Sequence, residues 1–365
     1  MAKGLRKFWI ILHRYVGLAA AAFLVVAGLT GAILAFESDY KLWIHQLHWP
    51  VAPEAARLPE QELTDRLERQ LTSTGAPVHV EQIQFAGDRA AQVFVLSTGR
   101  RVYMNPYNGT VLGTQDGPSA TEKFFAAMLQ LHVRLVAGNV GRWAVVTGTL
   151  TLLLLVPTGV YLWWDKKRIS VNLKASWRRI NWDLHSVIGV YGCVVMFALA
   201  GTGLLIEVQT PLYWITNARP QLESLPRSTP PSDATGNVHA PDLDGFILAA
   251  DKAVPNLQTY QINLPQRPRS PVQVLKQTAG TRARTTVYLD RYDGHVLRVD
   301  DSHTRSRALQ AHNVNLAIHT GTIMGLPGRI VVSLSSLMLV VSAITGFIIW
   351  WQKPGTPSRV VPPQG

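Results

Sequence analysis

Four stretches of the chain run for more than 20 positions without a charged residue: Tyr15–Phe36, Trp143–Trp164, Ser186–Ile206 and Ile330–Trp351. A helix that crosses a bilayer needs about 20 mostly apolar residues, so each stretch predicts one span. The first follows Lys3, Arg6 and Lys7, as a signal peptide would. Its apolar run of 22 residues is too long for a signal core, and it ends in Glu37-Ser38-Asp39 rather than a small-residue cleavage pattern, so it reads as an anchor. Between the spans the period changes. Leu63, Leu67 and Leu71 lie four apart and predict one apolar helix face over 59–72. Alternating strands follow at 78–85, 90–97 and 100–104, and Asn108-Gly109 predicts a tight hairpin into Val111-Leu112. A later segment repeats the plan: a helix near 242–254, strands near 257–264, 271–277 and 284–289, and a turn at Asp293-Gly294. Pro220–Pro241, rich in Pro, Ser and Thr, predicts a linker.

Charge orients this pattern. Lys166, Lys167, Arg168, Lys174, Arg178 and Arg179 crowd the short connection between the second and third spans. Together with Lys3, Arg6 and Lys7 before the first span and Lys353 after the last, they place both termini and the short loop in the cytoplasm. The two long segments, nearly balanced in charge, are then translocated. Paired Trp163-Trp164 and Trp350-Trp351 read as an aromatic belt at the cytoplasmic interface. Only 16% of the 365 residues are charged, and the net charge of +12 is accounted for by this asymmetry, so nucleic acid is not an expected partner. One cysteine, Cys193, excludes a disulfide framework and any CxxC site. The predicted order is a first span within 8–40, an outer domain over 41–130, a histidine segment and second span over 131–164, and a basic cytoplasmic loop over 165–182. A third span over 183–210, a linker over 211–241, a second outer domain over 242–304, a histidine segment and fourth span over 305–352, and a cytoplasmic tail over 353–365 complete it.

The chain also repeats itself. His13-Arg-Tyr-Val-Gly17 matches His185-Ser-Val-Ile-Gly189, and Thr30-Gly31 matches Thr202-Gly203 at the same offset. Leu131-His132, Gly138, Gly141, Arg142, Thr158-Gly159 and Trp163-Trp164 match Ile318-His319, Gly325, Gly328, Arg329, Thr345-Gly346 and Trp350-Trp351. The hairpin Val102–Leu112 matches Val287–Leu297. Each unit is span, outer domain, span, so two copies in one orientation predict a pseudo-two-fold axis along the membrane normal.

These motifs resemble a known family. The Asn/Asp-x-Tyr-Asn/Asp-Gly-x-Val-Leu hairpins are similar to those of PepSY domains. Spans opening with Leu-His-Arg-Tyr-Val-Gly and closing with Thr-Gly-x-x-x-Trp-Trp resemble PepSY-associated transmembrane helices, as does Ile318-His-Thr-Gly-Thr-Ile-Met-Gly-Leu-Pro-Gly-Arg329. The resemblance implies a mixed fold: four transmembrane helices in two tandem repeats, each carrying a periplasmic PepSY-like helix-plus-antiparallel-sheet domain. It also implies the bacterial inner membrane and a kinship with ferric-siderophore (ferrioxamine-type) reductases that hold haem.

Of 11 histidines the repeat selects four. His13 and His185 are equivalent at the cytoplasmic starts of spans one and three, and His132 and His319 are equivalent just outside spans two and four. A two-fold axis brings each pair to one level, where two imidazoles are suited to be axial ligands of a haem b, one or two per chain. Gly17 and Gly31 on the face of His13, and Gly189 and Gly203 on that of His185, leave room for a flat macrocycle; the same small residues serve bare helix packing. Arg142 and Arg329 face either haem propionates or lipid phosphate. His312, seven residues before His319, is a reserve ligand. His132 precedes Trp143 by 11 residues, which on a straight helix lifts it above the apolar run, unless the breaks at Gly138–Gly141 and Gly325–Gly328 fold the segment inward. His45, His48, His79, His239, His295 and His303 read as solvated surface, and Trp143 and Tyr161 as packing or belt residues.

The expected function is electron transfer from a quinol or a cytoplasmic reductase, through haem, to a ferric siderophore held by the outer domains, releasing Fe(II) for uptake. A non-enzymatic regulator of a peptidase is the alternative, since PepSY domains also occur in protease propeptides. A permease is disfavoured: the spans hold no interior Asp, Lys or Arg and only Glu207 near an end.

Overall fold

The computed structural model describes residues 2–54, 56–72, 79–165, 167, 169–208, 225–230, 241–277, 284–301 and 307–352. Most of the expected linker, Lys166, Arg168, His239, His303, Lys353 and the C-terminal tail lie outside the described residues. The chain divides into a helical unit (1–35, 127–208 and 318–365) and a sheet unit (36–126 and 209–317).

The helical unit holds four helices long and apolar enough to cross a membrane. They are α1 (Ala2–Leu34), α5 (Gly138–Trp163), α6 (Trp177–Glu207) and α9 (Gly325–Trp351). Their apolar character runs all round, as expected where both a core and lipid must be faced. α1 packs on α5 and α9, and α6 packs on the same two, which sets α1 and α6 across the bundle from each other. Small and branched side chains fill the centre: Ala20, Leu24, Leu152, Leu155, Ala200 and Ala343.

In the sheet unit, α2 (Glu37–His48) continues the chain beyond the first span as a helix that the residue pattern did not signal. α3 (Glu60–Thr72) falls where the leucine spacing predicts a helix, and α7 (Leu243–Ala253) falls within the helix expected near 242–254. The strands are β1 (Val80–Gln84), β2 (Gln92–Leu96), β3 (Arg100–Met104), β4 (Val111–Asp116), β5 (Gln258–Asn263), β6 (Val272–Gln277), β7 (Arg284–Leu289) and β8 (Val296–Asp300). They form a single antiparallel sheet in the order β4-β3-β2-β1-β5-β6-β7-β8. The segments expected as two outer domains therefore share one sheet, joined where Ile83 pairs with Ile262. One face buries Ile83, Phe94, Val102, Ile262, Val274 and Val287 against Leu63 and Leu67 of α3 and Phe246 and Ala250 of α7. Deleting one such buried side chain costs about 2–5 kcal/mol.

Both hairpins predicted from Asn-Gly and Asp-Gly form, with Gly109 and Gly294 at φ of 74° and 75°, a region open to glycine without strain. The loops are longer than a two-residue turn. Asn105 accepts from the Tyr107 amide and Asp290 from the Tyr292 amide, closing the same local turn in each.

Candidate functional site

The helical unit gathers all four repeat-selected histidines into two pairs. His13 on α1 and His185 on α6 stand with ring centroids 6.3 Å apart and planes at 77°. His132, in the last turn of α4 (Ala120–Arg134), faces His319, the last residue of α8 (Arg307–His319), with centroids again 6.3 Å apart and planes at 53°.

A threonine on a neighbouring helix holds each ring. Nδ1 of His13 lies 2.9 Å from Thr158 Oγ1, and that of His132 lies 2.9 Å from Thr30 Oγ1. Nδ1 of His185 lies 3.1 Å from Thr345 Oγ1, and that of His319 lies 3.0 Å from Thr202 Oγ1. Every one of these hydroxyls already donates its proton to a carbonyl of its own helix: Leu154, Val26, Val341 and Ala198 respectively. The threonine oxygen must then accept, and Nδ1 must donate. His185 and His319 reach the same assignment a second way, since Nδ1 also bonds the Ser342 and Leu199 carbonyls, which can only accept. In their neutral form all four imidazoles thus carry hydrogen on Nδ1 and a lone pair on Nε2, the tautomer that binds a metal through Nε2.

The glycine after each threonine makes the approach possible. A Cβ there would stand 3.2 Å from His13 Cε1 at Gly159, 3.2 Å from His185 Cε1 at Gly346, 3.3 Å from His132 Cε1 at Gly31 and 2.9 Å from His319 Cε1 at Gly203. Gly31 and Gly203 therefore serve the His132–His319 pair, not the His13–His185 site on whose helix faces the sequence places them. Gly17 and Gly189 do line a cavity of about 400 Å³ with His13 and His185. Thr30, Thr158, Thr202, Thr345, Gly159 and Gly346 carry roles that the sequence reading missed, although the Thr-Gly doublets stood out in the repeat.

The segments outside the spans fold inward at their breaks. After α4, Leu135, Val136 and Gly138 take φ of 47°, 56° and 55°, reversing the chain into α5. Positive φ at a β-branched valine is costly and marks a turn fixed by its surroundings. After α8, Gly321 at φ 74°, a 3-10 turn over Thr322–Met324 and Gly325 at φ 63° do the same. Gly141 and Gly328 permit the close approach: a Cβ on them would meet Arg134 O at 1.6 Å and Gly321 O at 2.2 Å. His132 and His319 are thereby delivered to Thr30-Gly31 and Thr202-Gly203 within the helical unit.

The arginines fare differently. Arg142 pairs with the Glu207 carboxylate, and its Nη2 donates to the Glu207 carbonyl at 2.9 Å. Arg329 is buried. His312 sits on α8, one heptad before His319, with its Nδ1 buried and without a hydrogen bond among the described residues. Of the histidines expected at the surface, His48, His79 and His295 are exposed, whereas His45 is half-buried and bonds the Ala91 carbonyl at 2.8 Å beside the Tyr103 ring. Trp143 and Tyr161 are exposed, as belt or lipid-facing residues would be.

In the sheet unit, Asp290, Asp293 and His295 bring ligand atoms within 4.8 Å of one another. Their carboxylates are committed to the amides of Thr229, Tyr292 and His295, so the cluster reads as turn architecture. Glu60, which bonds Gln92, is pushed up to about 7 by burial, with Gln92 and Arg57 opposing the shift and Asp244 adding to it.

Whether the pairs suit a haem can be tested on their spacing. Two imidazoles that each bind through Nε2, at about 2 Å, a metal lying between them would stand about 6 Å apart, ring centre to ring centre. Both pairs meet that separation, and both have Nδ1 committed. The helical unit thus combines four helices long and apolar enough to cross a membrane with two facing histidine pairs. The chain belongs to the family described as the PepSY-associated TM region, which matches residues 10–353. No curated protein matches the chain.

Proposed function

We propose that this protein is an inner-membrane electron-transfer protein with two b-type haem sites, reducing ferric siderophores in the periplasm so that Fe(II) is released for uptake. The carrying observation is the twice-repeated 6.3 Å separation between imidazoles whose Nδ1 protons are already spoken for. A haem with two imidazole ligands supplies one-electron transfer and keeps no iron position open for substrate.

The chain's own residues do the rest. His13 and His185 hold the site on the cytoplasmic side, where a quinol or cytoplasmic reductase donates electrons; His132 and His319 hold the periplasmic one. Thr158, Thr345, Thr30 and Thr202 fix ring orientation and tautomer. The apolar helices exclude water, and the sheet unit is the docking platform for the siderophore. Two tandem repeats explain why each half contributes one histidine to each pair and four strands to the sheet. The basic loop over 165–182 and both termini face the cytoplasm in this reading.

The test uses purified protein in liposomes, reduced chemically and then mixed anaerobically with ferrioxamine. The expected result is a low-spin haem spectrum that reoxidises while a ferrous chelator traps one Fe(II) per electron lost. A colourless preparation defeats the reading and favours the peptidase-regulator alternative.

A further inference from the structure

The cavity around His13 and His185 is lined mostly by apolar side chains, among them Leu24, Leu152, Leu155, Met196 and Leu339, and the same lining includes Arg6 and Arg14. Arg6 donates from Nε to Asp165 at 2.7 Å, an exposed pair. Arg14 is half-buried and makes no hydrogen bond or ion pair among the described residues. A guanidinium on an apolar wall is costly without an anion beside it. The repeat places Ser186, also a lining residue, where the first copy has Arg14, so this cation stands on one side only.

We propose that Arg14 anchors a carboxylate of the cofactor in this cavity and thereby sets which way round it sits, with Arg6 as a weaker second cation. The proposal rests on the haem reading above. It moves the propionate contact away from Arg142, whose guanidinium is taken by Glu207. A lipid phosphate offers the same anionic oxygens, so the experiment must separate the two sources.

Full-length apoprotein in lipid-free detergent is reconstituted with haem or with haem dimethyl ester, whose carboxylates are blocked. Release to excess apomyoglobin is then followed, and each site contributes one kinetic phase. In the unaltered protein the ester should leave one phase about 10–100-fold faster, the range expected for a charge-assisted bond. Arg14→Gln should speed the loss of free-acid haem in that same phase and abolish the difference between haem and ester, with the low-spin spectrum kept. Arg14→Lys should restore part of it. Equal release of haem and ester from unaltered protein overturns the proposal. So does an undiminished difference in Arg14→Gln, which leaves Arg14 to lipid. If unaltered protein gives no low-spin spectrum with either porphyrin, the ligand pairs themselves fail, a separate result.

Discussion

The two histidine pairs share a grammar but are reached by different routes. His13 and His185 lie on spanning helices, so the helix register alone delivers them. His132 and His319 lie on helices that end outside the spans and are delivered by tight reversals through Gly138–Gly141 and Gly321–Gly328. Yet each ring meets the same receptor, a threonine that accepts from Nδ1 and a glycine that clears space for Cε1. The receptor is common to both pairs, and the segment that delivers the histidine is what differs. One pair should therefore be separable from the other.

The largest separation should come from Gly141→Ala. A Cβ at that position would stand 1.6 Å from Arg134 O, so the reversal after α4 cannot close as it does here. We expect loss of the His132–His319 haem and retention of the His13–His185 haem, read as half the haem content per chain. Equal loss from both sites would show that the pairs are not independent.

A smaller effect should follow from Thr158→Val, which keeps the shape but removes the acceptor for His13 Nδ1. Losing such an outer partner costs about 10–100-fold in metal affinity, and haem release to apomyoglobin should speed by that range. Thr345→Val should fall at the low end, since His185 keeps the Ser342 carbonyl at 2.9 Å. A rate unchanged in both variants would remove the threonines from the site.

The smallest effect contrasts the sheet unit with the helical one. Glu60 holds its proton to about 7 when folded against 4.5 when exposed, so ionisation opposes folding. Its contribution is intact below pH 4.5 and is lost as pH rises to about 7. The change is on the order of 3 kcal/mol at most. Thermal unfolding in detergent between pH 4.5 and 8 should decline more for the native protein than for Glu60→Gln. Parallel curves would contradict it.

The spans were legible because an uncharged run of about 20 residues has few other uses, and the four histidines because the repeat aligned them. The sheet's continuity was not legible: the Ile83–Ile262 pairing joins strands about 180 residues apart, and local alternation says nothing of such partners. The helix α2 was missed because Glu37–His48 mixes polar and aromatic residues without a clean apolar face. The Thr-Gly receptors were visible as repeat landmarks, but their role was hidden, since Thr147-Gly148 in the same helix has no histidine beside it and packs against Phe23 instead. The partner of Arg142 is equally hidden in the sequence, since Glu207 lies 65 positions away.

The most direct test is haem stoichiometry by pyridine haemochrome on the purified full-length protein, beside His185→Ala and His319→Ala. Two low-spin haems per chain, falling to one in each single variant, is the result predicted here. A chain that carries no haem, or one whose haem content is unchanged by both substitutions, would contradict the assignment of these pairs as its ligands.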